Sequence, residues 1–252
     1  MKTDHEINIC FTNDIHSYIP KSIALFNELV RIKKSSNTLF IDLGDFSEGA
    51  AFYNLFKGKP ESELITKLYN FIIPGNHGFQ DIVKLYKEGF PVINSNLLYK
   101  NKLFFKKNIL YQSQSHNIAF LSIISPEAFY SIEVKKRKGF MALDPHKVLP
   151  NLISELRQTG HKIILLSHSG FDYDVELAKK IPDIDVIISS HCHSKFYKRR
   201  VDNTLITKAP EHGGGYGKLR LKNNHFASRL ISVKGVTDYL SPEIRFMKGY
   251  ID

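Results

Sequence analysis

Five short blocks along this chain supply side chains that bind divalent metal ions. They are Asn13-Asp14-Ile15-His16, Gly44-Asp45, Gly75-Asn76-His77, Ser167-His168-Ser169-Gly170 and Ser190-His191-Cys192-His193. Together they offer carboxylates, an amide oxygen and imidazoles, enough donors for two adjacent ions. Hard oxygens and borderline nitrogens in one set suit Mn²⁺, Zn²⁺ or Fe ions and do not favour Ca²⁺. A hydroxide held between two such ions can attack a phosphate ester at neutral pH, because the ions lower the pKa of bound water toward roughly 7. The blocks therefore imply a metal-dependent hydrolase. Asp14 and His16 are separated by one residue, as are His191 and His193. In an extended chain leaving a strand, both members of such a pair point the same way, with Cys192 facing away as a spacer. Asp45 is the natural bridging carboxylate, and Gly75 lets the backbone turn tightly beside Asn76.

Such residues are useful only if the fold gathers them, and each block follows an apolar run that reads as a β-strand. Short, β-branched or continuously apolar runs predict strands over 7–12, 38–43, 71–73, 91–94, 162–166 and 185–188, with a hairpin across 103–124. Apolar residues at 3–4 spacing predict helices over 20–35, 50–56, 61–69, 80–87, 148–158 and 174–180, the first opening at Pro20. After residue 194 the pattern becomes β, over 204–207, 218–221 and 227–233. Strands alternating with helices, then consecutive strands, fit one α/β domain spanning residues 1–252 with a pair of mixed sheets. Gly213-Gly214-Gly215-Tyr216-Gly217 has no Gly-Lys-Ser/Thr ending and reads as a turn rather than a phosphate loop.

Taken in order, Asp-x-His, Gly-Asp, Gly-Asn-His, a strand-end His and His-x-His resemble the calcineurin-like metallophosphoesterases. The flanking stretches Phe11-Thr12-Asn13-Asp14-Ile15-His16, Leu166-Ser167-His168-Ser169-Gly170 and Asp185-Val186-Ile187-Ile188 are similar to the catalytic domain of the 5′-nucleotidase family. Asn94-Ser95-Asn96 and Gly215-Tyr216-Gly217-Lys218 match that family's connecting segments, so the likeness runs from about residue 5 to 221. It implies a four-layer α/β/β/α sandwich of two mixed sheets flanked by helices. It assigns Asp14, His16, Asp45 and His193 to one ion, and Asp45 as bridge, Asn76, His168 and His191 to the second. Asn76 and His77 would contact the phosphate, with His77 protonating or stabilising the leaving oxygen.

The chain departs from that family in two places. Gly-Asn-His is usually followed by Glu-Phe-Asp, whereas here Gly78-Phe79-Gln80 stands in its place; Gln80 can hydrogen-bond a ring but brings no charge, and Asp81 is the nearest substitute acid. The family's second, base-binding domain has no counterpart in the sequence, so substrate recognition falls to loops such as 46–59 and 125–140. Within the first of these, Phe46, Phe52, Tyr53 and Phe56 read mainly as core.

Composition narrows the partners. The 252 residues carry a net charge of +10, which suits an anionic substrate. Its one dense basic run, Lys135-Lys136-Arg137-Lys138, reads as a solvated loop rather than a nucleic-acid patch. Trp is absent, and no aromatic–basic signature of an RNA-binding sheet occurs. No stretch has the length of a membrane span, and no secretory signal opens the chain. Two cysteines, Cys10 and Cys192, provide no disulfide framework, and a cytoplasmic location is expected. The expected function is a phosphomonoesterase acting on a small phosphorylated metabolite such as a nucleotide. Phosphodiesterase or nuclease activity, or metal binding without catalysis, are the alternatives. Six further histidines, His5, His116, His146, His161, His212 and His225, have no motif context; His212 stands out because it adjoins the glycine-rich stretch.

Overall fold

The computed structural model describes residues 6–113, 116–194, 197–235, 237 and 239–251; the sequence reading of His5 lies outside them. Two mixed sheets stack face to face. One has five strands in the order His225–Ser232, Gly215–Lys222, Ile7–Thr12, Thr38–Asp42 and Phe71–Ile72. The other has six, in the order Lys198–Val201, Thr204–Thr207, Val186–Ser189, Lys162–His168, Asn117–Ile124 and Asn108–Gln112.

Side-chain alternation explains why the strands are apolar throughout. Ile7, Ile9 and Phe11 point between the sheets, where they meet Ile118, Phe120, Ile164, Leu166, Val186 and Ile188. Their sequence neighbours point the other way. Cys10 and Phe40 pack beneath the helices Ile23–Ser35, Lys59–Leu68 and Phe79–Lys87. Ala119, Leu121, Ile163, Leu165 and Ile187 pack beneath Pro145–Gln158 and Phe171–Lys180. Strands covered on both faces need no polar alternate residue. The result is helix, sheet, sheet, helix, as the resemblance implied.

The strands that precede the five blocks run parallel within their sheets: Ile7–Thr12 beside Thr38–Asp42 beside Phe71–Ile72, and Lys162–His168 beside Val186–Ser189. Their carboxyl ends therefore share one edge of the sandwich, the usual ligand edge of open α/β sheets. Two backbone-accepting contacts clamp the sheets there. His168 Nδ1 donates to the Leu43 carbonyl at 2.8 Å, and Ser190 Oγ donates to the same carbonyl at 2.8 Å.

Several local expectations need correction. The predicted strand over 91–94 makes only two isolated bridges, Ile72 with Val92 and Ile93 with Lys106. A third sheet, of Lys102–Leu103, Leu97–Tyr99 and Phe140–Ala142, was not foreseen, since strands of two or three residues carry no readable period. The edge strand Lys198–Val201 and the terminal 3-10 turn and helix, Pro242–Met247 and Lys248–Ile251, were also missed. The helices Lys59–Leu68, Pro145–Gln158 and Phe171–Lys180 begin earlier than their apolar spacing suggested, the first two with proline in the opening turn. The glycine-rich turn is shorter than expected: Gly214 donates to the Glu211 carbonyl at 3.0 Å, and Gly215 already begins a strand.

Gly217 pairs with Phe11 across the antiparallel register, and a Cβ there would stand 2.0 Å from the ring. Gly217→Ala is expected to destabilise the fold by about 1–3 kcal/mol through overpacking, read as a lower urea midpoint at unchanged slope. An unchanged midpoint would contradict the tight seating of Phe11.

Asp174, in the first turn of Phe171–Lys180, is fully buried, and burial pushes its carboxyl up to about 7. The folded chain therefore holds a proton there that the unfolded chain releases near its usual pKa. Stability from this group is complete below about pH 4 and is lost as pH rises through about 7. Asp174→Asn, which cannot ionise, should gain roughly 2–4 kcal/mol on the wild type between pH 4 and 8 in metal-free urea unfolding. A difference that stays flat with pH would rule out the buried, protonated carboxyl.

Candidate metal centre

At the shared strand edge the backbone turns sharply at the expected ligands. Asp14, His16, Asp45 and His191 adopt left-handed conformations, with φ of 51°, 50°, 54° and 78°. The extended i, i+2 geometry expected for Asp14–His16 and His191–His193 is therefore replaced by tight turns that aim the same side chains inward. Such backbone is costly for residues other than glycine, and neighbouring hydrogen bonds hold it here. Asp14 N donates to Gly44 O at 3.1 Å, His16 N to Asp45 O at 2.8 Å and Ser17 N to Phe46 O at 2.9 Å, tying the first two loops together. The third loop approaches so closely that a Cβ on Gly75 would lie 2.0 Å from Asp45 Oδ1.

Two groups of donors result. In the first, the buried Asp14 Oδ1 stands 3.9 Å from His16 Nε2 and 4.0 Å from His193 Nε2, while His16 Nε2 is 3.7 Å from Asp45 Oδ2. In the second, His168 Nε2 lies 3.3 Å from Asp45 Oδ2 and 3.1 Å from Asn76 Oδ1, and His191 Nδ1 lies 2.9 Å from Asn76 Oδ1. All seven expected metal ligands are thus brought together, and Asp45 belongs to both groups. His77 stands beside them, its ring 4.8 Å from that of His16 and its backbone N–H donating to Asp45 Oδ1 at 2.8 Å.

The hydrogen bonds behind these atoms fit cation binding. His16 Nδ1 donates to the Glu48 carbonyl at 3.2 Å and His168 Nδ1 to Leu43 O, so each ring turns its Nε2 inward. Asp14 Oδ2 accepts from Asn13 Nδ2 at 2.7 Å and His191 N at 3.2 Å, leaving Oδ1 buried with no hydrogen-bond partner. Lone pairs of a carboxylate, an amide oxygen and imidazoles that converge away from water call for a positive charge among them. Ligand atoms about 2.1 Å from one ion stand roughly 3.0–3.5 Å apart at right-angled to tetrahedral geometry; the second group is close to this spacing, and the first is more open at 3.7–4.0 Å. The residues fit divalent metal ions.

The buried charges of this edge are matched largely among themselves. Burial disfavours charge on Asp45, but His168 and His16 outweigh it and hold the carboxylate at about 2. Burial works against the His168 imidazolium too, yet Asp45 and Asp14 raise it to about 9. Burial lowers His16 and His191 to about 4, keeping them neutral and free to donate lone pairs. Asp14 is pushed up to about 6 by burial, and Asp42 behind it to about 8, though Thr12 and the Gly44 N–H both donate to Asp42.

Neither side chain expected to support His77 faces it. The Gln80 amide donates to the Lys136 carbonyl, and Asp81 accepts from Ser47 Oγ at 2.8 Å. Glu48 reaches this turn instead, accepting from Gly78 N at 2.8 Å and pairing with Lys136. Nothing in the sequence signals that role, because Glu48 lies thirty positions upstream. Lys136 belongs to the basic run read as solvated; Lys135 pairs with Glu133 at 2.9 Å, and Arg137 lies over the Tyr130 ring at 4.9 Å. Phe46 and Phe52 are buried, as expected for core. Cys192 turns away from the donors, its sulfur accepting from Phe171 N at 3.0 Å. His212, the one extra histidine singled out, does reach the site: its ring lies 4.7 Å from that of His193, and its N–H donates to Asp14 O at 2.8 Å.

Comparison with known proteins agrees with this geometry. The family profile described as calcineurin-like phosphoesterase matches residues 7–195. The chain is 29% identical over 228 residues to the uncharacterized metallophosphoesterase YunD of Bacillus subtilis, covering 84% of this chain and 48% of that protein. It is 25% identical over 222 residues to the human 5′-nucleotidase, covering 76% of this chain and 39% of the relative. The calcineurin-like phosphoesterase YfkN of Bacillus subtilis shares the fold with a TM-score of 0.78 at 18% identity, over 98% of this chain and 97% of that one. The chain spans about half or less of the length of the curated relatives it matches. A profile match over three quarters of the chain, with metal-ligand residue types gathered at one sheet edge, places it in the calcineurin-like phosphoesterase family.

Proposed function

We propose that this chain is a phosphomonoesterase dependent on two divalent ions, acting on a small phosphorylated metabolite such as a nucleotide. One observation carries the reading: a single carboxylate oxygen, Asp45 Oδ2, serves two donor groups, 3.7 Å from His16 Nε2 on one side and 3.3 Å from His168 Nε2 on the other. Asp14, His16, His193 and Asp45 would hold one ion, and Asp45, Asn76, His168 and His191 the second, with Mn²⁺, Zn²⁺ or Fe best suited to the donors. When bound, such ions withdraw charge from the phosphate oxygens and activate water at neutral pH.

The chain's own residues do the rest. The Glu48 and Leu43 carbonyls hold the rings of His16 and His168 with Nε2 toward the site, so ligation needs no ring reorientation, only release of the His168 proton. His77 sits at the mouth of the site with its backbone anchored on Asp45, and its ring can donate to a phosphoryl oxygen or protonate the departing alkoxide. Asn76 contributes its amide oxygen beside the phosphate. The basic run supports a monoester over a diester or nucleic-acid substrate, because Lys136 and Arg137 are engaged with Glu48, Glu133 and Tyr130 rather than presented along a groove. A single-domain, cytoplasmic setting, with Cys10 and Cys192 unpaired, belongs to the same proposal.

With Mn²⁺, p-nitrophenyl phosphate should turn over well above bis-p-nitrophenyl phosphate, and a chelator should abolish both. Asp45→Asn should lower kcat at least about a thousandfold with an unchanged circular-dichroism spectrum. A diester preferred over the monoester would overturn the monoesterase assignment, and full activity in Asp45→Asn would overturn the shared carboxylate.

A further inference from the structure

Lys208 is fully buried just beyond the strand Thr204–Thr207, and no feature of its sequence surroundings marks it. An ammonium taken out of water is tolerated only when its three protons are met. Here all three are: Nζ donates to Cys192 O at 2.7 Å, to Ser194 O at 3.1 Å and to Glu211 Oε2 at 3.3 Å. The two carbonyls flank His193. That imidazole is 41% exposed, so packing alone does not hold it.

The same segment reaches Asp14 by two more routes. Ala209 N donates to Asn13 Oδ1 at 2.9 Å, and Asn13 Nδ2 in turn donates to Asp14 Oδ2 at 2.7 Å. His212 N donates to Asp14 O at 2.8 Å. Residues 208–212 thus grip both Asp14 and His193, which belong to the first donor group alone. The second group is secured elsewhere, through His168 and Ser190 on Leu43 O.

We infer that Lys208, braced by Glu211, is a positioning residue that sets the His193 arm of the first ion position. The inference rests on the two-ion reading given above. A buried cation spent on two carbonyls makes sense if those carbonyls must stay in place, since an apolar side chain of the same size would pack there at less cost.

The test is calorimetric titration of Mn²⁺ into chelator-treated protein. The wild type should take up two equivalents, and His193→Ala should identify which of them belongs to the first position. Lys208→Met should weaken that same equivalent by about 10–100-fold while the other stays within about threefold. Glu211→Gln, which keeps the lysine and an acceptor but removes the negative charge, should weaken the same equivalent by a smaller factor, and it carries the test if Lys208→Met does not fold. Loss spread equally over both equivalents, or no loss in any folded variant, overturns the positioning role while leaving the two-ion reading intact. A wild type that binds fewer than two ions refutes the two-ion reading itself, and the inference with it.

Discussion

Negative charge buried where two sheets meet is the constraint on which this structure depends. Asp14, Asp42 and Asp45 lie within a few residues of strand ends and are almost wholly removed from solvent. Carboxylates in such a place must be protonated, hydrogen-bonded or matched by positive charge. The fold uses different answers for each. Asp45 stays ionised because imidazoles stand on both sides of it, whereas burial pushes Asp42 up to about 8 despite its donors Thr12 and Gly44. Asp14 lies between, with one oxygen satisfied and the other unpartnered toward His16 and His193. A dication at either donor group would relieve the remaining imbalance, so metal affinity and the stability of this edge are expressions of one electrostatic condition.

Holding that condition requires backbone that the chain would not adopt unaided. Four of the expected ligands or their turn partners sit in left-handed conformations, each costing on the order of 1–2 kcal/mol for a residue with a Cβ. The return comes from three apolar layers that fix the strand ends relative to one another, and from loop-to-loop hydrogen bonds such as His16 N to Asp45 O. Gly44 and Gly75 matter here for space. A Cβ on Gly44 would stand 2.8 Å from Gly75 N, so side chains at either position would force the loops apart and separate Asp45 from His168.

Charge outside the centre is handled more locally than the net value of +10 suggests. The densest basic run folds back on Glu133, Glu48 and Tyr130, and one of its lysines ties the loop to the turn before Gly78. The remaining basic side chains contribute a diffuse positive field. Lys208 uses a positive charge differently, inside the fold, to fix backbone near His193.

The ligand blocks were legible in sequence because each is a local event: an apolar strand, then a turn, then a donor within three or four residues. Short continuous apolar runs likewise made the central strands readable, because both faces are covered. The three-stranded sheet, the edge strand Lys198–Val201 and the C-terminal turn escaped because they are short or held only by distant partners. The sequence alone therefore determined the fold class, the family and which seven residues meet at the sheet edge. Only the tertiary structure decided that Asp45 stands between the two donor groups, that Glu48 rather than Gln80 or Asp81 meets the turn after His77, and that Lys208 reaches the His193 loop. Those relations join residues dozens of positions apart, and their distances are set by how two sheets pack, which no local spacing encodes.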